Sequence, residues 1–379
     1  MEVELPYGRA PLRLVGDARH IDVLQAPDLP TPRDIATLVD EALESPIGSP
    51  RLRELVRAGG RVAIIVSDST RREPRAAFLA ALRRELPDVK LTVAVATGTH
   101  GPCSLGALEL PPALLGDATI VMHDGHSDDD LVELGTTSRG TPVRVHRVVV
   151  EADLVVATGC IRPHYFAGFG AGIKAIFPGL GQAAAIRVNH RLKTEPAARA
   201  GIVDGNPCRD DLDEAVRLVR TPAFLLNGVC GPDSRVHAVV AGDLREAFGR
   251  GVELARPWFT VRARPAPMVI ASDALPVSAS LYQAAKIAAA VAPLVEPGGE
   301  LVLAAECSDG VAPLDVVNEA IFRIGVLPRL PPDARLSLVS SLGPDVVART
   351  LVGYRSQLPS LEGPTLIVPR ASQLICEVI

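Results

Sequence analysis

Short runs of consecutive apolar residues alternate along this chain with longer segments in which apolar positions recur every three or four residues. The first pattern predicts buried strands and the second amphipathic helices. The opening "LRLVGDARHIDVL" alternates apolar and polar positions, as a pair of strands would. "TPRDIATLVDEALESP" predicts a helix capped at Thr31 with Pro32 in its first turn. "RVAIIVSDSTR" reads as a buried strand running into a polar turn. "EPRAAFLAALRREL" is a helix with Phe78, Leu79, Leu82 and Leu86 on one face. "KLTVAVATGTHG", "ATIVMHDG" and "ADLVVATGCIRPH" read as three more strands. The style returns further on, with strands in "APMVIASDALP" and "GGELVLAAEC" around a helix in "SLYQAAKIAAAVAPLV". "LDVVNEAIFRIGVL", "RLSLVSSL" and "GPTLIVP" follow in the same manner.

Strand, turn and helix in alternation specify an α/β fold with mostly parallel sheets. The segment "RPWFTVRARPAP" has weak periodicity and reads as a linker or crossover. It divides the chain into an α/β domain over 1–263 and a smaller α/β domain over 264–379. Polar residues collect where strands end: Asp68, Thr70 and Arg71; Thr97, Thr99 and His100; Arg162 and His164. Open α/β sheets place ligands at the carboxyl ends of their strands, so these three turns are expected to converge.

Composition narrows the function. Aromatic residues are 3% of the chain, so the cores rest on Ala, Val, Leu and Ile, and stacking platforms for single-stranded nucleic acid are scarce. Net charge is −5 and no basic run tracks a phosphate backbone, which argues against nucleic acid as a partner. The six cysteines form no CxxC pair and are expected as small buried residues in a reducing compartment. The start, "MEVELPYGRAPLRL", lacks the pattern of a secretory signal, and no apolar run reaches the length of a membrane span. A soluble, cytoplasmic protein without a membrane partner is the expectation.

The candidate chemistry centres on "PHYFAGFGAGIKAIFPG", Pro163 to Gly179. A P-loop needs lysine directly after glycine and then Ser or Thr, whereas here Ile173 intervenes and Ala175 follows. The dinucleotide fingerprint is also incomplete. Close packing of helix on strand would account for the glycines but not for Lys174, because burying an unpaired ammonium is costly. A desolvated or covalently used lysine fits better. Of the eight histidines, His20, His146 and His237 lie in strand-like pieces, and His123 and His126 fall in the acidic "MHDGHSDDD", where a solvated loop is favoured over a metal pair. His100, His164 and His190 each follow an apolar run at an element end. Asp68 or Ser69 could cap the next helix. Arg71, at the mouth of a buried strand, suits a carboxylate or phosphate.

Taken in order, "SDSTRREP", "ATGTH", "RPHYFAGFGAGIKAIFPG", "NH" and "LYQAAK" resemble the nickel-dependent lactate racemase family, which includes other 2-hydroxyacid racemases and epimerases. The resemblance runs from "YG" near the start into the second domain. It implies an isomerase of two α/β domains with the active-site cleft between them, whose cofactor is a nickel-pincer nucleotide, pyridinium-3-thioamide-5-thiocarboxylic acid mononucleotide, tethered to a lysine. By resemblance, Lys174 is the tether and His190 the nickel ligand. His100 and His164 are the acid/base pair. Asp68, Thr70, Gly170 and Gly172 contact the cofactor, and Arg71, Tyr282, Gln283 and Lys286 the substrate. Cofactor-synthesis proteins are the implied partners.

The implied chemistry moves hydride rather than a proton from the α-carbon, with one histidine taking the hydroxyl proton for each enantiomer. Arg71 and Lys286 would fix the carboxylate. Two stretches depart from the family's usual wording. "GFGAGIK" stands where "GFSGGxK" is common, and "ALPVSAS" where "GYPxDxN" is. The second lies beside the substrate groups and points away from lactate itself. Arg162 is the candidate reader of a second carboxylate, as in malate. The alternative is a nicotinamide-dependent 2-hydroxyacid oxidoreductase on the same scaffold.

Overall fold

The computed structural model describes residues 2–17, 19–86, 88–110 and 112–379. Two six-stranded sheets organise these residues. The first runs in the order Val236–Asp243, Ala223–Cys230, Leu154–Ile161, Arg61–Ser67, Lys90–Ala96 and Thr119–Met122, parallel except for its first pair. Both faces are covered. Along Arg61–Ser67 the side chains alternate, with Ala63 and Ile65 in the core that holds Phe169, Ile173 and Phe177. Val62, Ile64 and Val66 enter the opposite core with Phe78, Leu79 and Leu82. A strand buried on both faces reads as a continuous apolar run, which is why "VAIIV" carries no polar residue. Each such side chain, fully removed from water, contributes about 1.5–3 kcal/mol.

The strand order reverses between Arg61–Ser67 and Leu154–Ile161. The chain parts at this point to opposite sides of the sheet, leaving a crevice at the carboxyl ends. Asp68 to Arg71 leave one strand there, and Arg162 to His164 leave the other. The neighbouring turn is drawn into the same place, because Gly98 N–H donates to Gly179 O at 2.9 Å.

The second sheet is parallel throughout, in the order Gly353–Arg355, Arg335–Val339, Val295–Ala304, Ala266–Ser272, Thr365–Val368 and Ile21–Val23. On one face lies the helix Leu281–Val291, whose Ala, Ile and Leu side chains are buried with Val269, Leu301 and Leu303. Ser280 caps it, accepting from Gln283 N–H at 3.4 Å. The other face is covered by the antiparallel strands Glu2–Leu5 and Leu12–Val15, through Leu5 and Leu14 on Ile270 and Val302.

Three expectations change in detail. The opening segment does form strands, but Leu12–Val15 pairs with Glu2–Leu5, and Ile21–Val23 pairs with Thr365–Val368. Alternation fixes which face a strand buries and not which neighbour it takes. The first helix is Ile35–Glu44, capped by Asp34, which accepts from Thr37 N–H at 2.9 Å. Asp34 stands directly before the buried Leu38, Val39 and Leu43, and so displaces Thr31 as the cap. The segment expected as a linker is instead the end of the helix Glu246–Phe259, with Pro257 inside it, and the strand Thr260–Ala263, which pairs with Ile375–Val378. Among the described residues no helix is long and apolar enough to cross a membrane.

Candidate active site

The turn after Arg61–Ser67 is braced from within. Arg75 Nε donates to Ser67 O at 2.9 Å, and its Nη2 bonds the carbonyls of Asp68 and Arg71. Glu73 accepts from Ser67 N–H at 2.7 Å and from the Thr158 hydroxyl of the neighbouring strand. So held, Asp68 presents a buried carboxylate. One oxygen accepts from His100 Nδ1 at 2.7 Å and the other from Thr70 N–H at 3.0 Å and the Thr70 hydroxyl. Burial pushes the Asp68 carboxyl up, but the bonds from His100 and Thr70 outweigh it and hold it below the usual range. An ionised carboxylate only accepts, so His100 carries its proton on Nδ1 and leaves Nε2 for the cleft. Asp68, expected with Thr70 as a cofactor contact, bonds to both His100 and Thr70.

The glycine-rich segment lies over the crevice. Phe166 is its hub. The rings of His164 and His190 meet it edge-on at 4.6 and 4.9 Å between centroids, and Lys174 Nζ lies 5.7 Å from it. Tyr165 stacks on His164 at 5.6 Å. His190 comes from the last turn of the helix Ala183–Arg191. Its neighbour Asn189 fixes that turn, donating to Cys208 O at 3.0 Å and to Asp211 at 2.8 Å.

His164, Lys174 and His190 keep some surface open to the cleft but are ringed by protein. Burial lowers His164 well below the ordinary imidazole value, and the neighbouring Lys174, His190, Arg71 and Lys286 add to it by disfavouring a further positive charge. Burial, then Arg209 and Arg71, brings Lys174 from 10.5 to about 7. His190 falls to about 3, by burial and then Lys174. The site therefore presents neutral imidazoles and an amine that is substantially unprotonated near neutral pH.

The glycines differ in role. A Cβ at Gly172 would stand 2.6 Å from the Phe248 ring, and the Gly172 N–H donates to Asn227 Oδ1 at 2.9 Å. Gly172 is turned to the core. At Gly170 a Cβ would meet nothing nearer than 3.7 Å, so its backbone is open. Ala171 between them has φ 64° and ψ −159°, a region that normally takes glycine.

The second sheet closes the cleft with the helix Leu281–Val291. Lys286 Nζ donates to Gln283 Oε1, and burial followed by the charge of Arg71 lowers Lys286. Tyr282 lies beside Tyr165, whose phenol burial pushes up. His100, His164, Lys174, His190, Arg71, Tyr282, Gln283 and Lys286 thus share one region.

Arg162 does not join it. Gly159 and Ile161 face the Ala171 side, so Cys160 and Arg162 turn to the other, where the guanidinium lies beside the Cys160 and Cys230 thiols. His123, expected in a solvated loop, is fully buried and bonds Gly181 O at 3.0 Å, while His126 is exposed. Among the described residues no three His, Cys, Asp or Glu side chains gather to hold a metal ion by themselves. Sequence reading did not single out Phe166, Asn189, Arg209 or Arg329. Phe166 and Asn189 sit inside the quoted motifs; Arg209 and Arg329 carried no periodic or motif signal.

The profile of the lactate racemase N-terminal domain matches residues 7–201. The chain is 32% identical over 320 residues to the lactate racemase of Thermoanaerobacterium thermosaccharolyticum, covering 81% of this chain and 75% of that one. To the lactate racemase of Lactiplantibacillus plantarum it is 31% identical over 281 residues, covering 72% and 66%. The structure of the Thermoanaerobacterium lactate racemase apoprotein superposes with a TM-score of 0.88 at 26% identity, covering 100% of both chains. A Thermotoga maritima protein shares the fold, with a TM-score of 0.63 at 16% identity over 88% of this chain and 100% of that one.

Proposed function

The chain belongs to the lactate racemase family, and from that premise we propose that it is an isomerase inverting the hydroxyl-bearing carbon of a 2-hydroxyacid with a lysine-tethered nickel-pincer nucleotide. The observation that carries the reading is Lys174: a mostly enclosed amine brought to about 7, within the same aromatic cluster as His190. An amine that is partly unprotonated at neutral pH suits acyl attachment. The donor set also fits. His190 offers a neutral imidazole that would hold nickel, whose softer donors would come from the bound group. Gly170 offers open backbone for a nucleotide, whereas Gly172 is left out of the proposed contacts.

When bound, the cofactor would supply a hydride acceptor for the α-carbon. The remaining work falls to this chain. His100, held by Asp68, would take the hydroxyl proton of one enantiomer and His164 that of the other; the imidazolium so formed gives the same proton back to the oxygen once hydride has returned to the opposite face of the carbon. Arg71 and Lys286, from opposite sides of the cleft, hold the carboxylate so that only the reacting carbon changes place. Tyr165 and Tyr282 screen the site from water. We further propose that the boundary at 263/264 separates the cofactor-binding domain from the one that closes over substrate, with the opening strands belonging to the latter.

The test is the intact mass of the protein from a host that also makes the cofactor. A covalent adduct mapped to Lys174, absent in Lys174→Ala, together with interconversion of an enantiopure 2-hydroxyacid, is the expected result. An unmodified mass, in a host shown to load a relative, overturns the reading.

A further inference from the structure

The cleft holds more positive charge than one carboxylate needs. Arg71, Lys174, Lys193, Lys286 and Arg329 have no carboxylate within 4.0 Å among the described residues, and Asp68 is already engaged by His100 and Thr70. Arg71 and Lys286 flank His164, and Lys174 is the proposed tether.

Arg329 stands apart from these. It ends the short turn Leu327–Arg329, which follows the wide-turned π-helix Val316–Val326 in the second half of the chain. From there it crosses to the first half, where its Nη2 donates to Ala198 O at 2.8 Å. Ala198 is buried with Phe166, Ala167 and Cys208, in the cluster on which the His164 and His190 rings rest. Tyr165, stacked on His164, lies beside both Arg329 and Tyr282. Burial disfavours the Arg329 charge, and Arg199 adds repulsion. A guanidinium has five N–H donors, and Ala198 takes one. A half-buried guanidinium with no counter-ion and a second arginine beside it is costly until an anion arrives.

Resting on the 2-hydroxyacid reading above, we propose that Arg329 binds a second anionic group on the substrate, so that the protein acts on a dicarboxylic 2-hydroxyacid in preference to a monocarboxylic one. Arg71 and Lys286 take the carboxylate beside the hydroxyl-bearing carbon. Arg329, on the Tyr165 side of the site, takes the carboxylate further along. This is the role expected of Arg162 from the sequence, and Arg162 is turned away to the thiols.

Malate and lactate are the probes, titrated by calorimetry into the apoprotein and the loaded protein, with kcat and KM measured on both. Malate is expected to bind about tenfold tighter than lactate or more, the scale of one charge-assisted bond. Arg329→Gln keeps a donor for the Ala198 carbonyl and removes the charge. It should lower the malate-to-lactate ratio of kcat/KM about tenfold through KM for malate, with Arg329→Lys recovering part of the loss. Equal binding of the two acids by the wild type, or an equal loss of both in Arg329→Gln, overturns the proposal. So does a fall in the Lys174 adduct in Arg329→Gln with the malate preference intact, which would assign Arg329 to the nucleotide phosphate. The wild-type adduct mass reads the cofactor separately. A protein without adduct that still prefers malate loses the cofactor reading and keeps this one.

Discussion

His100 donates from Nδ1 to Asp68 Oδ2 across 2.7 Å, and Asp68 is itself buried at the point where the first sheet's strand order reverses. The proton position of a half-exposed histidine is thereby set by a carboxylate that cannot move. Asp68→Asn offers an amide in its place and no longer compels that tautomer. Racemisation should fall by about 10²-fold or more, with the Lys174 adduct unchanged. Undiminished kcat in this variant would mean that His100 needs no orienting carboxylate.

The two enclosed imidazoles give a second prediction. His190 is lowered to about 3 and His164 well below its ordinary value, burial being the main cause in each. Both should stay neutral as pH falls from 8 to 5. Imidazole resonances of the apoprotein, assigned with His164→Gln and His190→Gln, check this. A titration midpoint near 6.5 in either ring contradicts it.

Lys174 makes stability depend on pH in a defined direction. Its pKa drops from 10.5 to about 7 on folding, so the folded chain resists the proton that the unfolded chain accepts. The penalty is absent above pH 10.5, grows as pH falls and levels off below about pH 7. Lys174→Met should therefore be the more stable form at pH 7, by about 1–2 kcal/mol once water in the cleft is allowed for. The gap should close near pH 10.5. Denaturant melts at the two pH values measure it, and a gap that widened with pH would reverse the sign.

Neighbouring positions of the glycine-rich segment should respond oppositely. Ala171, at φ 64° and ψ −159°, carries a Cβ where glycine is the easy residue. Ala171→Gly should stabilise the fold by about 1 kcal/mol, net of glycine's greater freedom when unfolded. Gly172→Ala puts a Cβ 2.6 Å from the Phe248 ring at φ 63°, and should cost about 2–4 kcal/mol. Thermal melts of the pair decide it, and shifts in the same direction would sink the account.

The sequence made the strands of both sheets legible, because "VAIIV" and "VIAS" are uninterrupted by polar residues and end in turn residues. Their partners were not. Nothing in "IDV" says that it pairs beside "TLIV" at the other end of the chain, since register and neighbour are settled by long-range packing. In the site, His100, His164 and His190 stood out as polar residues at apolar element ends, and Lys174 as an ammonium in an apolar, glycine-rich segment. Asp68 was expected on the cofactor from the family resemblance, and its bond to His100 spans two separate turns, which no local pattern shows. Arg329 lies in "VLPRLPP", which resembles any surface loop. Its importance comes from a contact across the cleft, and only three dimensions supply that.

The pairing of Ile21–Val23 with Thr365–Val368 has a consequence for biosynthesis. The first sheet is complete once Asp243 has emerged from the ribosome. The second has its edge strand Ile21–Val23 made long before that strand's partner Thr365–Val368, and Thr260–Ala263 likewise waits for Ile375–Val378. The closing half of the active site therefore assembles only after Ile375–Val378 has emerged, behind a first sheet already complete. Until then Arg329 and Lys286 have no cleft to enter. A chain stalled or cut before Ile375–Val378 would present the glycine-rich segment and Lys174 without their cover, so loss of that strand should silence the enzyme before it unfolds it.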